Sequence, residues 1–328
     1  MNLNEIINDA YFKDEVLAEQ KPIITIQEKI CAYPQNFICI NGLPKSYKTT
    51  FAFFFIESGL SGREVFDIKV NIEPGDKIIL IDTEQSIYDF TRQSKNLKRA
   101  LKVDKLPVNF SAYLFRKYEP EEILKAVSLI VETQKPKILI LDNLTELIAN
   151  PNDMLLAKSL IQYLKKLSSE HNLVIICLLH NAKSTLMSIG NIGSYADRGA
   201  QTSVTVKHDR EANITTMEAT LMRSDTYFNP ISIQFDTEQK KFIQITTQPK
   251  EKKSRKFILN DITEAEHKDI MRTLFINTAN FTYTEFIDEI KKIYGVGDNI
   301  AKQQIVRYLR GNNFVNADNG IYTNNKNK

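Results

Sequence analysis

Four short apolar runs organise the first 180 residues: 37–40 (FICI), 77–81 (KIILI), 138–141 (ILIL) and 173–179 (LVIICLL). Each is continuous rather than alternating, which is the pattern of a strand buried on both faces of a parallel sheet. Between them lie helical stretches, at 49–56, on to about residue 101, and at 154–170. Strand–helix–strand alternation requires crossover units and predicts an open α/β sheet flanked by helices. Such sheets bind ligands beyond the carboxyl ends of their strands. The residues that follow each run are therefore the candidates for chemistry. After residue 183, short strand-like runs at 203–206, 214–221, 231–235 and 242–245 extend the sheet.

The first run leads into Gly42-Leu43-Pro44-Lys45-Ser46-Tyr47-Lys48-Thr49-Thr50 and then a helix. That is the context of a phosphate-binding loop, in which backbone N–H groups and the helix N-terminus attract an anion. Gly42, Pro44, Lys45, Ser46, Tyr47, Lys48, Thr49 and Thr50 are the nucleotide-binding candidates. Lys48 supplies a point charge to the outer phosphates, and the Thr49 hydroxyl suits a Mg²⁺ shell. One position departs from the usual pattern: Tyr47 stands where glycine is expected. If that position requires positive φ, the side chain costs about 1–2 kcal/mol; if it is helical, it costs little.

The other runs also end in polar groups. Run 138–141 ends in Asp142, where a phosphate-loop enzyme places the carboxylate that holds Mg²⁺ through water; an aspartate capping the next turn would look the same. Run 77–81 ends in Asp82-Thr83-Glu84, and a carboxylate there can orient an attacking water. The alternative is a capping aspartate and a surface glutamate. Run 173–179 ends in His180-Asn181-Ala182-Lys183, where a polar side chain can sense the γ-phosphate, although a lone histidine is more often structural.

In this order, GxPKxxKT, a strand with DTEQS, ILILDN and a strand ending in HxxK, residues 25–245 resemble the core of RecA-type ATPases. Within that group the resemblance is to plasmid RepA-like hexameric helicases and related ATPases of mobile elements. It implies a RecA-like fold, ATP and Mg²⁺ as cofactors, and a homo-oligomeric ring, a hexamer. It implies that Lys48 and Thr49 bind phosphate and Mg²⁺, Glu84 activates water, Asp142 is the second Mg²⁺ residue and His180 is the sensor. Residues 188–200 (SIGNIGSYADRGA) would match a mobile, channel-lining loop for single-stranded DNA. Its glycines suit a flexible segment, and the DNA-binding candidates there are Asn191, Gly193, Ser194 and Arg198, with Lys183 just before them. Arg223 is the candidate arginine finger, reaching a neighbour's γ-phosphate; an exposed arginine on a strand edge is the alternative.

The remaining segments divide the chain as follows. Residues 1–35 read as an N-terminal arm, 36–245 as the ATPase domain, 246–256 (TTQPKEKKSRK) as a basic linker and 257–325 as a small second domain. Thr263 with Glu266 and Thr282 with Glu285 read as capping boxes, and Asp318-Asn319-Gly320 as a hairpin turn. Three helices followed by a hairpin is the layout of a winged helix. Its third helix carries Lys302 and Arg310 for phosphates, Gln303 or Gln304 for base edges, and Arg307. Residues 246–328 contain 14 Lys/Arg and 10 Asp/Glu, against a whole-chain net charge of +3, so the basic excess lies where a DNA-facing surface is expected, single- or double-stranded. Protein contact is the bland alternative for this domain.

Cys39 and Cys177 fall inside apolar runs and, with Cys31, read as core residues. No spacing suggests zinc, no run approaches the ~20 residues of a membrane span, and no signal-peptide pattern opens the chain. A cytoplasmic setting is expected. The motifs leave two functions open: a DNA-translocating helicase, or a nucleotide-switched DNA-binding regulator or recombination accessory ATPase that does not unwind. A small-molecule kinase fits less well, because it has no need of the DTE strand end.

Overall fold

A computed structural model of the chain describes residues 2–11, 20–181, 190–246, 262–276 and 278–325. The chain divides into two compact units, Met1–Thr246 and Thr247–Lys328.

The first unit begins with helix α1 (Leu3–Ala10), β1 (Ile24–Ile26), β2 (Lys29–Ala32), β3 (Phe37–Gly42), α2 (Lys48–Ser61), β4 (Ile68–Val70), β5 (Ile78–Asp82) and α3 (Ile87–Leu101). It continues with β6 (Phe110–Leu114), α4 (Pro120–Gln134), β7 (Ile138–Asp142), α5 (Met154–Glu170), β8 (Val174–His180) and α6 (Gly190–Gly199). Strands β9 (Thr202–Asp209), β10 (Ile214–Met222), β11 (Ile231–Asp236) and β12 (Lys241–Ile245) complete it.

One nine-stranded sheet has the order β12-β11-β10-β9-β3-β8-β7-β5-β6. Neighbours from β9 to β6 are parallel. Strands β10, β11 and β12 continue it antiparallel. This is the α/β architecture, a mainly parallel sheet flanked by helices, that the apolar runs predict. The runs are continuous because alternate residues feed two cores. Ile38, Ile40, Ile78, Leu80, Ile138 and Ile140 pack on one face. Phe37, Cys39, Ile79, Ile81, Leu139 and Leu141 pack on the other. Each such fully buried side chain is worth about 1.5–3 kcal/mol relative to exposure.

Part of the stretch read as an arm is built into this unit. β1 pairs with β2 and with β4 in a small antiparallel sheet, and Ile24, Ile26, Cys31 and Ala32 are buried in the first core. All three cysteines are buried and free, and burial pushes the Cys31 thiol up to about 12. Among the described residues no helix is long and apolar enough to cross a membrane.

The second unit contains α7 (Glu264–Leu274), β13 (Asn280–Thr282) and α8 (Tyr283–Tyr294). A helical run follows in three pieces, α9 (Asp298–Ile300), a π-type stretch Ala301–Val306 and α10 (Arg307–Gly311), then β14 (Val315–Asp318) and β15 (Ile321–Asn324). The three strands are ordered β13-β15-β14. Both capping boxes form, Thr263 with Glu266 and Thr282 with Glu285. Asn319 and Gly320 take positive φ, the requirement of the two-residue hairpin turn between β14 and β15. The core is its own: Met271, Phe286, Ile290, Ile305, Leu309 and Tyr322, with Phe286 stacked on Tyr322 at 4.5 Å.

Candidate phosphate-binding site

Strand β3 ends at Gly42 and α2 begins at Lys48. A side chain at Gly42 would lie 2.5 Å from the Val206 carbonyl and 2.6 Å from Ser46 Oγ, so the close approach of β9 requires glycine. Tyr47 is the N-cap of α2 in the left-handed region, φ 69° and ψ 27°, and supplies no capping hydrogen bond. The position does require positive φ, so the tyrosine carries the strain of about 1–2 kcal/mol. Its ring meets His208 edge-on at 4.7 Å and Phe242 at 6.1 Å, contacts that offset the strain. The first N–H groups of α2 have no side-chain cap, and an uncapped N-terminus of this kind is an anion site.

Lys48 is buried beneath the loop. Its Nζ donates to the Gly42 and Leu43 carbonyls, each at 3.1 Å, and lies 3.0 Å from His180 Nδ1. Burial lowers its pKa against the opposing pull of Asp142 and Glu84. The other ring nitrogen, His180 Nε2, lies 2.9 Å from Glu84 Oε1. Neutral His180 satisfies both contacts in one tautomer, accepting at Nδ1 and donating from Nε2. Asn143 Nδ2 also donates to Glu84 Oε1, at 2.8 Å. The His180 bond is the main reason that the Glu84 carboxyl sits below its ordinary range. Lys48, His180, Glu84 and Asn143 thus form one connected chain.

Asp142 and Asp82 differ in role although they are register partners on adjacent strands. Asp82 is fully buried and turned onto its own chain, accepting from the Glu84 and Gln85 N–H groups at 2.9 and 2.8 Å. It shapes the turn that aims Glu84. Asp142 Oδ2 instead accepts the Thr49 hydroxyl at 2.6 Å. Burial raises the Asp142 carboxyl to about 7, so a neighbouring cation would be strongly favoured there. Two hard oxygen donors, one anionic, beside a phosphate loop fit Mg²⁺, which needs few protein ligands. Thr49 and Asp142 are the residues that could hold it. Among the described residues no cluster of three or more His, Cys, Asp or Glu offers a metal cage.

Lys48, Thr49, Glu84, Asp142 and His180 line one cleft of about 580 Å³, together with Lys45, Ser46, Tyr47 and Thr50; Asp82 and Asn143 support it from behind. Gly42 and Pro44 do not face it; Pro44 lines an adjoining cavity. Arg92 on α3 and Arg210 in the β9–β10 turn bring two further cations to the cleft. No spacing in the sequence marks either one, and Asn143 was equally hidden.

Other expectations come out differently. The stretch read as a mobile channel loop is, from Gly190, the helix α6. Ile192, Ala196 and Ala200 recur at intervals of four and are buried in the second core, and Gly193 is buried with them. The small residues read as loop because they permit close packing. Asn191 donates to the Asn152 carbonyl, and Arg198 folds back on Ser194. Ser194 and Arg198 are exposed, but on a packed helix. Lys183 lies outside the described residues, as does most of the basic linker. Arg223 is exposed just past β10, donates to the Arg198 carbonyl and does not line the cleft of its own chain. In the second unit Lys302, Gln303, Arg307 and Arg310 are exposed, while Ala301, Ile305, Val306 and Leu309 form the buried side of the same helical run. Lys302 pairs with Asp298 at 2.5 Å.

No family model matches the chain, and neither does any curated protein. Among solved structures it is similar to a KaiC-like protein, PH0186, from the hyperthermophilic archaeon Pyrococcus horikoshii OT3. That match has 14% identity and a TM-score of 0.48, and covers 65% of this chain and 91% of the other. It is also similar to the RadB recombinase, with 14% identity, a TM-score of 0.43, and 62% and 88% coverage.

Proposed function

We propose that the chain is a Mg²⁺-dependent, RecA-type ATPase that works on DNA. The observation that carries this reading is the convergence of an uncapped helix N-terminus, Lys48, the Thr49–Asp142 pair and Glu84 in one cleft. The loop N–H groups and Lys48 hold the β- and γ-phosphates. Thr49 and Asp142 hold Mg²⁺, which when bound neutralises charge on the phosphate oxygens. Glu84, kept ionised by His180 and Asn143, orients water and accepts its proton. His180 touches both Lys48 and Glu84, which supports its role in reporting the loss of the γ-phosphate. Mg²⁺-dependent release of phosphate from ATP, absent in Lys48→Ala, tests the reading; an ATPase indifferent to Lys48 would sink it.

The finer reading is a ring-forming helicase of the RepA-like kind, acting in replication or transfer of a mobile element. In it Arg223, exposed and outside the lining of its own cleft, serves a neighbouring copy. The second unit is a winged helix whose exposed Lys302, Gln303, Arg307 and Arg310 face DNA. The same basic helix favours a second reading, a nucleotide-switched DNA-binding regulator or recombination accessory ATPase. Electron microscopy with ATP and single-stranded DNA, combined with a strand-displacement assay, separates the two. Closed rings with unwinding select the motor; DNA binding without unwinding selects the switch.

A further inference from the structure

The groove at the phosphate loop continues along α2. Thr50, Phe53, Phe54 and Glu57 share one stripe of that helix at spacings of three and four. A second cavity of about 520 Å³ follows this stripe and shares Thr50 and Gln93 with the phosphate cleft. Part of its wall is aromatic, formed by Phe53, Phe54, Phe66, Phe235 and Phe242. Phe242 of β12 lies edge-on to Phe54 at 5.9 Å and to Phe235 at 5.2 Å. Glu57 lines the cavity half-buried, its carboxyl pushed up by burial with Arg63 opposing. No hydrogen bond or ion pair engages that carboxyl among the described residues.

We propose that this cavity takes the purine base of the nucleotide whose phosphates occupy the adjoining cleft, with Phe242 as its aromatic wall and Glu57 accepting a hydrogen bond from an exocyclic amino group. The inference rests on the phosphate-binding reading and adds the part of the substrate that this reading leaves out. Thr50 and Glu57 are separated by about 10 Å along the helix axis, the scale of the ribose and base beyond the inner phosphates. Aromatic rings beside polar side chains that can fix orientation are the usual build of a base pocket, and here five phenylalanines share the lining with Glu57 and several cations. Glu57 therefore has acceptor capacity that no protein group among the described residues uses and that a ligand donor in the cavity could take up. Tyr47 then gains a reason to occupy a glycine position, because its ring ties the phosphate loop to Phe242. A competing occupant is a base of single-stranded nucleic acid, its backbone resting on the rim cations Arg99 and Lys240.

Equilibrium binding to the full chain decides the matter, using ATP, inosine triphosphate and inorganic triphosphate. Inosine triphosphate keeps the phosphates and lacks the exocyclic amine; inorganic triphosphate lacks the base. Wild type is expected to bind ATP about tenfold more tightly than inosine triphosphate. Glu57→Leu is expected to bring that ratio close to one. Phe242→Ala is expected to weaken ATP about tenfold and inorganic triphosphate by much less, since Phe242 touches the phosphate loop only through Tyr47; retained triphosphate binding also shows that the variant is folded. Equal affinity of wild type for ATP and inosine triphosphate would overturn the assignment, whether or not the variants fold. So would loss of oligothymidine binding in Phe242→Ala with ATP affinity unaltered. Failure of both ATP and inorganic triphosphate to bind wild type would instead remove the phosphate site itself, and the base pocket with it.

Discussion

Helices α7 and α8 begin in the opposite way from α2. In α7, Thr263 caps the Glu266 N–H while the Glu266 carboxylate returns to the Thr263 N–H at 2.7 Å. Thr282 and Glu285 repeat the arrangement in α8. These bonds hold the Glu266 and Glu285 carboxyls below their ordinary range. At α2 a strained tyrosine stands where the cap should be, and its side chain gives the helix nothing. A terminus whose donors are satisfied internally stabilises the fold and has little left for an anion. One that leaves them open gives up about 1 kcal/mol of capping and keeps a ligand site. The same sequence contains both solutions, so the bare end of α2 is a local choice rather than a general weakness in capping.

The contrast breaks most visibly at Lys48. Lys48→Ala should lower ATP hydrolysis by about 10³-fold or more with little change in thermal unfolding; retained turnover would mean that the loop is not the phosphate site. Glu84→Gln should cost about 10²–10⁴-fold while ATP still binds. His180→Ala should act on the pH profile. Because the His180 bond is the largest cause of the lowered Glu84 pKa, its loss moves that pKa up, and the acid limb of kcat/KM shifts to higher pH. An unmoved limb would separate His180 from the base. Thr282→Ala should destabilise the second unit by about 1 kcal/mol, read by hydrogen exchange in α8, with hydrolysis unchanged. The smallest effect is expected from Tyr47→Gly. Relief of about 1–2 kcal/mol of strain is set against loss of aromatic contacts worth about 0.5–1.5 kcal/mol. Nucleotide affinity should hold or improve within a few-fold, and a large loss would show that the ring has a direct role.

What was legible in the sequence follows from the geometry of a parallel sheet. Strands β3, β5, β7 and β8 end at one edge, so polar residues at or just past each strand end fall at the same cleft. Glu84, Asp142 and His180 are legible from that logic, Lys48 from the phosphate-loop pattern, and their roles from the RecA-type resemblance. The rule is silent about groups that arrive from elsewhere. Arg92 enters from the second turn of α3, Arg210 from a hairpin turn, and Asn143 one residue past a strand end. β6 was missed because it is an edge strand, largely half-buried, and carries no continuous apolar run. Helix α6 was misread because glycine and alanine signal flexibility in a sequence and tight packing in a core. At Gly199, for instance, a side chain would lie 2.8 Å from the Phe37 ring.

Lys48 has one more consequence. An ammonium offers three protons, and here Gly42, Leu43 and His180 take all three. A phosphate binding here would therefore meet no idle charge and would have to displace an existing partner. The affinity of the site is thus a difference between two sets of bonds. If the bond given up is the one to His180, that ring is freed on arrival of the nucleotide and recaptured on its departure. Entry and exit would then be written directly into the position of a residue that also touches Glu84.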